Sequence, residues 1–293
     1  MADGMQVMWF VQPAVAAVAP ALGLVAADAV QGTRNPSSDA QFEALCAGRT
    51  DMVVTAMDNV MDWNLRPGPQ DFCIVAQVER TTPLQLIARA GLHTLEELRG
   101  ATVLVDAPAN GFVVALRTLL ADATLHAVDY TLRPAGGVQE RWDALLAGRG
   151  DCTLLGPPFD AVALRAGFAA LACVQQSYPA FPGQGLVLRK AALDALRPRL
   201  VPWLRGLQAA SDRMSSGNPA VFQALVDAGY PPGAVAAQIA LRPPSLVPDR
   251  EGVELLIDQR RRLGLEGAVA GYANLVDLSM LDALAAQALP GVP

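Results

Sequence analysis

The sequence predicts an α/β protein built as two doubly wound α/β lobes, joined by two crossover segments and followed by a helical C-terminal tail. Three observations carry this. An octapeptide occurs twice, as Ala44-Leu45-Cys46-Ala47-Gly48-Arg49-Thr50-Asp51 and as Ala144-Leu145-Leu146-Ala147-Gly148-Arg149-Gly150-Asp151, identical at six of eight positions and one hundred residues apart. Strand-like and helix-like stretches alternate through both halves of the chain before Lys190. Beyond Lys190 every periodic stretch reads as helix.

Each octapeptide has the same physics. An Ala/Leu-rich helix ends at a glycine, Gly48 or Gly148, because glycine enters the left-handed conformation with no Cβ penalty. An aspartate follows, then a short apolar run expected to be a buried, parallel-type strand: Met52 to Ala56 in one copy, Cys152 to Leu155 in the other. Turn residues come next, Met57-Asp58-Asn59 and Gly156-Pro157-Pro158. Ligands of open parallel sheets gather outside the carboxyl ends of the strands. Two lobes that each present such an end therefore suggest one shared site.

In chain order, Gln6 to Val11 reads as a strand ending at Gln12-Pro13, and proline opens a helix over Ala14 to Ala27. Ala29 to Thr33 is a weak strand. Asn35-Pro36-Ser37-Ser38-Asp39 starts the next helix, with Ser37 or Ser38 as cap and Asp39 at the positive end of its dipole. After the third strand, Leu65 to Pro69 is a loop and Phe72 to Val78 a crossover strand. Thr81 to Gly91 is mixed in character. Thr94 and Glu97 match a capping box for a short helix closed by Gly100. The second half repeats the plan: a strand over Thr102 to Val105, a small-residue loop from Asp106 to Gly111, and a helix from Phe112 to Ala121 that buries Phe112, Val113, Leu116, Leu119 and Leu120. A strand over Leu125 to Leu132, a helix opened by Pro134 to Gly137, a helix to Ala166 and a strand over Ala169 to Val174 complete it. Tyr178 to Gly185 is a return linker, and Leu186 to Leu188 re-enter the first lobe. Five helices fill the tail, at about Pro198–Ser215, Pro219–Ala228, Pro232–Leu241, Asp249–Leu263 and Met280–Ala288, with proline starts and glycine stops. The lobes are thus expected to be residues 1–76 with 184–293, and 77–183.

Composition excludes several classes. The chain has 293 residues, 52% of them hydrophobic and 17% charged, so it folds. A net charge of −6 argues against nucleic acid as a partner. Arg260-Arg261-Arg262, the one dense basic group, reads as a solvated helix end suited to the dipole. Cys46, Cys73, Cys152 and Cys173 form no C-x-x-C pair and none adjoins a histidine, so neither a disulfide framework nor a metal site is expected. Pro13 to Ala27 is too short to span a bilayer and contains Pro20, and no basic residue precedes it, unlike a secretory signal. The protein is therefore expected in the periplasm or at the cell surface if an export signal has been removed, and in the cytoplasm if the chain starts as given.

The stretches Ser37 to Gln41, Ala47 to Asp51 and Thr55 to Val60, then Leu98 to Val103 leading to Asn110-Gly111, and Ala147 to Asp151, carry a resemblance that extends over roughly residues 5 to 290. The sequence resembles the type II periplasmic substrate-binding proteins of the nitrate, sulfonate and taurine transporter group, which has relatives similar to thiamine-pyrimidine synthesis proteins. The resemblance implies a cleft between lobes that closes over a small molecule by hinge motion, with no cofactor. It also implies a monomer that inserts into no membrane and delivers its ligand to an ABC permease. The ligand-binding residues it suggests are Gln12, Ser37, Ser38, Met57, Asp58, Asn59, Asn110, Gly111, Gly137, Gly156 and Pro157. Helix N-termini at Ser38, Gly111 and Gly137 would aim N–H groups at an anion. Asp58 either sits beside the cleft, where it would repel an anion and suit an amine, or caps the following turn. Trp9 and Trp63 are either an aromatic wall or core.

Catalytic signatures are absent: there is no G-x-x-x-x-G-K, G-x-G-x-x-G, G-x-S-x-G or H-E-x-x-H. His93 and His126 read as a turn flank and a strand residue. The cysteine-rich motif of the thiamine-pyrimidine enzymes has no counterpart here. The leading expectation is reversible capture of a small polar organic molecule. The alternatives are a cytoplasmic lyase, a desulfinase or decarboxylase with Asp58 as its general acid or nucleophile, and a cytosolic sensor domain.

Overall fold

The computed structural model describes residues 4–109, 111–215, 217–269 and 271–288. The first stretch of chain lays down β1 (Met5–Trp9), α1 (Ala14–Ala21), β2 (Val30–Arg34), α2 (Ser38–Cys46), β3 (Met52–Thr55), α3 (Asn59–Trp63) and β4 (Phe72–Gln77). The second lays down β5 (Gln85–Ala88), β6 (Thr102–Val105), α4 (Phe112–Asp122), β7 (Thr131–Pro134), α5 (Val138–Leu146), β8 (Cys152–Leu155), α6 (Phe159–Arg165), β9 (Ala169–Cys173) and α7 (Val174–Ser177). The chain then returns through β10 (Gly185–Arg189) to α8 (Leu193–Arg213), α9 (Pro219–Asp227), α10 (Val235–Ala240), α11 (Arg250–Arg262) and α12 (Ser279–Ala288).

Two separate five-stranded sheets result, ordered β2-β1-β3-β10-β4 and β7-β6-β8-β5-β9. Within each, the first three strands are parallel, and the fourth, β10 or β5, runs antiparallel to both neighbours. Thus β3 and β8 are each parallel on one side and antiparallel on the other. The antiparallel strand is in each sheet the one by which the chain enters from a crossover.

One octapeptide lies beside each sheet, and both copies make the same bonds. Gly48 and Gly148 sit at φ +65° and +68°. Their N–H groups donate to Leu45 and Leu145 O, and those of Arg49 and Arg149 to Ala44 and Ala144 O, the double bond of a Schellman ending. The aspartates then stitch strand to strand. Gln6 N–H donates to Asp51 Oδ2 and Thr102 N–H to Asp151 Oδ2, each at 2.7 Å, while Asp51 and Asp151 N–H donate back to Gln6 and Thr102 O.

The core follows from strand alternation. Cys73 and Val75 of β4 face α1, α8, α9 and α12, whereas Phe72 and Ile74 face the opposite side with Trp63 and Leu45. That second core is continuous with Val103, Val105, Leu116 and Leu154 of the second sheet and with Val253, Leu256 and Ile257 of α11. A smaller core behind the second sheet gathers Ile87, Leu104, Leu155 and Trp142. Trp9 and Trp63 are both buried core residues.

Several local expectations are corrected. Helix α1 stops at Ala21, not Ala27, because the chain turns left-handed at Gly23. The strand expected from Leu125 begins only at Thr131. Before it, His126 N–H donates to Asp129 Oδ2 and Asp129 N–H to His126 O, a turn that leaves His126 exposed. Glu97 accepts from His93 and Thr94 N–H, but Thr94 caps nothing and only one 3-10 turn, Glu96–Leu98, follows. Helix α8 begins at Leu193 and carries Pro198 and Pro202 inside it. No described helix is long and apolar enough to cross a membrane.

Asp151 is partly buried, which raises its pKa, but Arg89 Nε at 2.7 Å and Thr102 N–H outweigh that and hold it low. A depressed carboxylate stabilises the fold fully above the unfolded chain's titration range and loses that contribution as pH falls through the native value. Asp151→Ala should therefore cost about 1–2 kcal/mol at neutral pH in urea denaturation. The deficit should shrink as the solution is acidified.

Candidate functional site

A cavity of about 120 Å³ lies between the sheets. Its walls are strand ends. Phe10 and Val11 follow β1, Thr55 and Ala56 end β3, Leu104 to Ala107 end β6, and Leu154 with Gly156 ends β8. Asn59 of α3 and Gly111, Phe112, Val113 and Leu116 at the start of α4 fill in from either lobe, with Val138 and Arg141 of α5 and Pro157. The crossovers supply Glu79, Thr82, Pro83, Leu84 and Gln184, and the tail supplies Tyr230, Gln238 and Leu241. Both sheets present carboxyl strand ends to one space, as the topology requires.

The lining is mainly apolar, with a few placed polar groups. Asn59 Nδ2 donates to Thr55 Oγ1 at 2.6 Å, which fixes the amide so that Oδ1 is buried with no partner. Gly111, at φ +67°, lies so close that a Cβ there would stand 3.0 Å from Asn59 Oδ1. Asp106 accepts from Ser38 N–H at 3.0 Å, and its pKa is raised by burial against the pull of Ser38 and Arg141. The Arg141 guanidinium donates to Gly136 O at 3.0 Å and Leu154 O at 3.3 Å, and burial lowers its pKa while Asp106 and Glu140 work against that. Glu79 accepts from Thr82 Oγ1 at 2.8 Å and Gln184 Nε2 at 3.2 Å, and burial raises its pKa. Tyr230 O–H donates to Gln12 O at 2.7 Å.

Asp58 is not on the cavity wall. It is 1% exposed and caps no helix through its side chain. Arg260 Nη1 donates to its Oδ2 at 3.1 Å, and Gly111 N–H does so at 2.9 Å. Both expected roles, carboxylate beside the cleft and turn cap, are therefore replaced by a buried ion pair. Arg260 also donates to Ala109 O at 2.9 Å and, through Nε and Nη2, to Glu266 O at 3.0 and 2.7 Å. Burial pushes the Asp58 carboxyl up to about 7, against the opposing pull of Arg260 and Gly111 N–H. The expectation that Arg260 is a solvated helix end is likewise overturned. The signal was in the spacing: Val253, Leu256, Ile257 and Arg260 recur at helical period, so Arg260 shares the buried face of α11. Arg261 and Arg262 are exposed and pair with Asp258 and Asp122.

Of the other expected ligand contacts, Asn59, Gly111, Gly156 and Pro157 line the cavity. Gln12 is not on the lining; its carbonyl holds the Tyr230 hydroxyl. Ser37 caps α2, accepting from Ala40 N–H at 3.1 Å. Met57 is buried against Gly185. Asn110 lies outside the described residues. The three N-termini expected to receive an anion are occupied by the protein itself. Ser38 N–H goes to Asp106, Gly111 N–H to Asp58, and Gly137 N–H to Pro36 O at 2.7 Å. Sequence reasoning missed Glu79, Asp106, Arg141 and Tyr230. Asp106 directly follows β6, as a strand-end ligand should. Tyr230, far along the chain, carries no comparable signal.

Removing one partner of a buried ion pair strands the other, at a cost of about 3–5 kcal/mol. Asp58→Ala should lose that much stability in urea denaturation. The double variant Asp58→Leu with Arg260→Met should recover most of it.

No family model and no curated protein matches the sequence. Solved structures match in fold. The alkanesulfonate-binding protein SsuA from Xanthomonas axonopodis pv. citri, bound to MOPS, is 17% identical with a TM-score of 0.72, over 90% of this chain and 94% of that one. The periplasmic nitrate-binding protein NrtA from Synechocystis PCC 6803 is 11% identical with a TM-score of 0.77, over 99% and 89%. A DszB mutant in complex with biphenyl-2-sulfinic acid is 12% identical with a TM-score of 0.64, over 98% and 100%. At these identities the likeness establishes architecture: this chain has the two-lobed type II periplasmic-binding-protein fold.

Proposed function

We propose that the chain binds a small polar organic molecule in the inter-lobe cleft and serves as the substrate-binding component of an ABC-type uptake system. The observation that supports this best is the cavity itself, whose walls come from both lobes and both crossovers. A guest there would touch both halves at once and so stabilise the closed arrangement. The moving bodies are residues 1–76 with 184–293, and residues 77–183. The partner would be a membrane permease, with the protein working in the periplasm or at the cell surface. SsuA and NrtA are binding proteins by name, which supports this reading.

The DszB likeness supports a second reading, a lyase using the same cleft. Such chemistry needs an acid, base or nucleophile against the substrate. The described lining contains neither cysteine nor histidine, and the acid or base groups it offers are Glu79, Asp106 and Tyr230.

A thermal-shift screen of sulfonates, carboxylates, pyrimidines and amines should yield a ligand that compacts the protein in small-angle scattering. Asn59→Ala should weaken that ligand at least tenfold by calorimetry. Unchanged scattering, or unchanged affinity in the variant, would remove the cleft from the account. Steady conversion of the ligand followed by NMR would favour the lyase.

A further inference from the structure

The chemistry of the cleft narrows the guest, on the reading that the cleft is a binding site. The lining carries two carboxylates, Glu79 and Asp106, and one guanidinium, Arg141, among the described residues. Arg141 is partly engaged: two of its five N–H groups donate to the carbonyls of Gly136 and Leu154, and the nearby Asp106 and Glu140 favour its charged form. The backbone N–H groups of Ser38, Gly111 and Gly137, where an oxyanion would sit, are filled by Asp106, Asp58 and Pro36 O.

Glu79 is placed differently. No Lys, Arg or His lies within ion-pair distance of it among the described residues, and its oxygens accept from neutral groups, the Thr82 hydroxyl and the side-chain amide and backbone N–H of Gln184. An ionised carboxylate has about four lone-pair sites, so acceptor capacity is left over. A second acceptor, Asn59 Oδ1, is buried and unpartnered on the same lining. The remaining walls, formed by Phe10, Leu84, Val105, Phe112, Val113 and Leu116, offer apolar surface. A desolvated anion would meet an uncompensated carboxylate there, and a cation would neutralise it.

We infer that the cleft takes a primary amine on an apolar or aromatic body, with Glu79 as its counter-charge and Asn59 Oδ1 as a second acceptor, in preference to a sulfonate, nitrate or other oxyanion. Glu79 lies on the first crossover, next to Thr82, so an ammonium held there engages the segment about which the lobes move.

The test is calorimetry on the full chain with benzylamine and phenethylamine against benzenesulfonate and nitrate. The amines should bind at least tenfold tighter than either anion. Glu79→Gln should weaken them at least tenfold, and Glu79→Asp, which keeps the charge, should retain part of the affinity. Circular dichroism checks that the variants fold, and the wild-type ranking stands as a test without them. Tighter binding of benzenesulfonate or nitrate, no amine binding, or amine affinity indifferent to Glu79→Gln would overturn the inference. Anion binding with compaction in scattering would leave the binding-protein reading intact. Silence from both panels would take that reading down as well.

Discussion

The Asp58–Arg260 ion pair is the contact on which the arrangement of the molecule depends. It is the one described salt bridge with both side chains essentially out of water, 2% and 1% exposed. Asp58 follows β3 of the first sheet, Arg260 comes from the tail helix α11, and Gly111 N–H and Ala109 O belong to the loop before α4 in the second lobe. One pair of charges therefore fixes three parts of the chain. Desolving both ions is costly, and the interior tolerates it because the remaining donors and acceptors are met by Ala109 O, Glu266 O and Gly111 N–H. With the loop held, α4 lays Phe112, Val113 and Leu116 along the cavity.

Closure and selectivity share the same atoms. The N–H groups that would recognise an oxyanion at Ser38, Gly111 and Gly137 are spent on contacts across the lobes. The surface pair Arg34–Glu140, at 2.6 Å, adds a solvated contact that contributes little by itself. The apolar seam of α11 against the second lobe contributes more, since it is continuous with the core under both sheets. The likeness to sulfonate- and nitrate-binding proteins is therefore one of architecture, and the character of this cleft is set by its own lining.

How much was legible in the sequence follows the range of the interactions. The octapeptide was readable because a helix stop, a stitching aspartate and a buried strand are all specified within a dozen residues. Ser37 as cap of α2 and Asp249 as cap of α11, accepting from Gly252 N–H, are local in the same way. β5 was hidden because Gln85–Ala88 is four residues long and gains its strand character from β8 and β9 on either side. The charge balance of the cleft was the least legible part. Asp58 and Arg260 are partners across 202 positions, and nothing near Asp58 announces a cation. Glu79 stands out by having no cationic partner among the described residues, a property that exists only once the chain is folded.

The chain passes between the lobes twice, and the two passes lie side by side. Thr81 Oγ1 donates to Phe181 O at 2.7 Å, Val78 N–H to Gln184 O at 3.0 Å and Gly183 N–H to Arg80 O at 3.2 Å. A single tether would let one half swivel freely. Two tethers laced together resist the twist that one alone would permit, so any displacement of one half against the other is confined to bending across the paired segments.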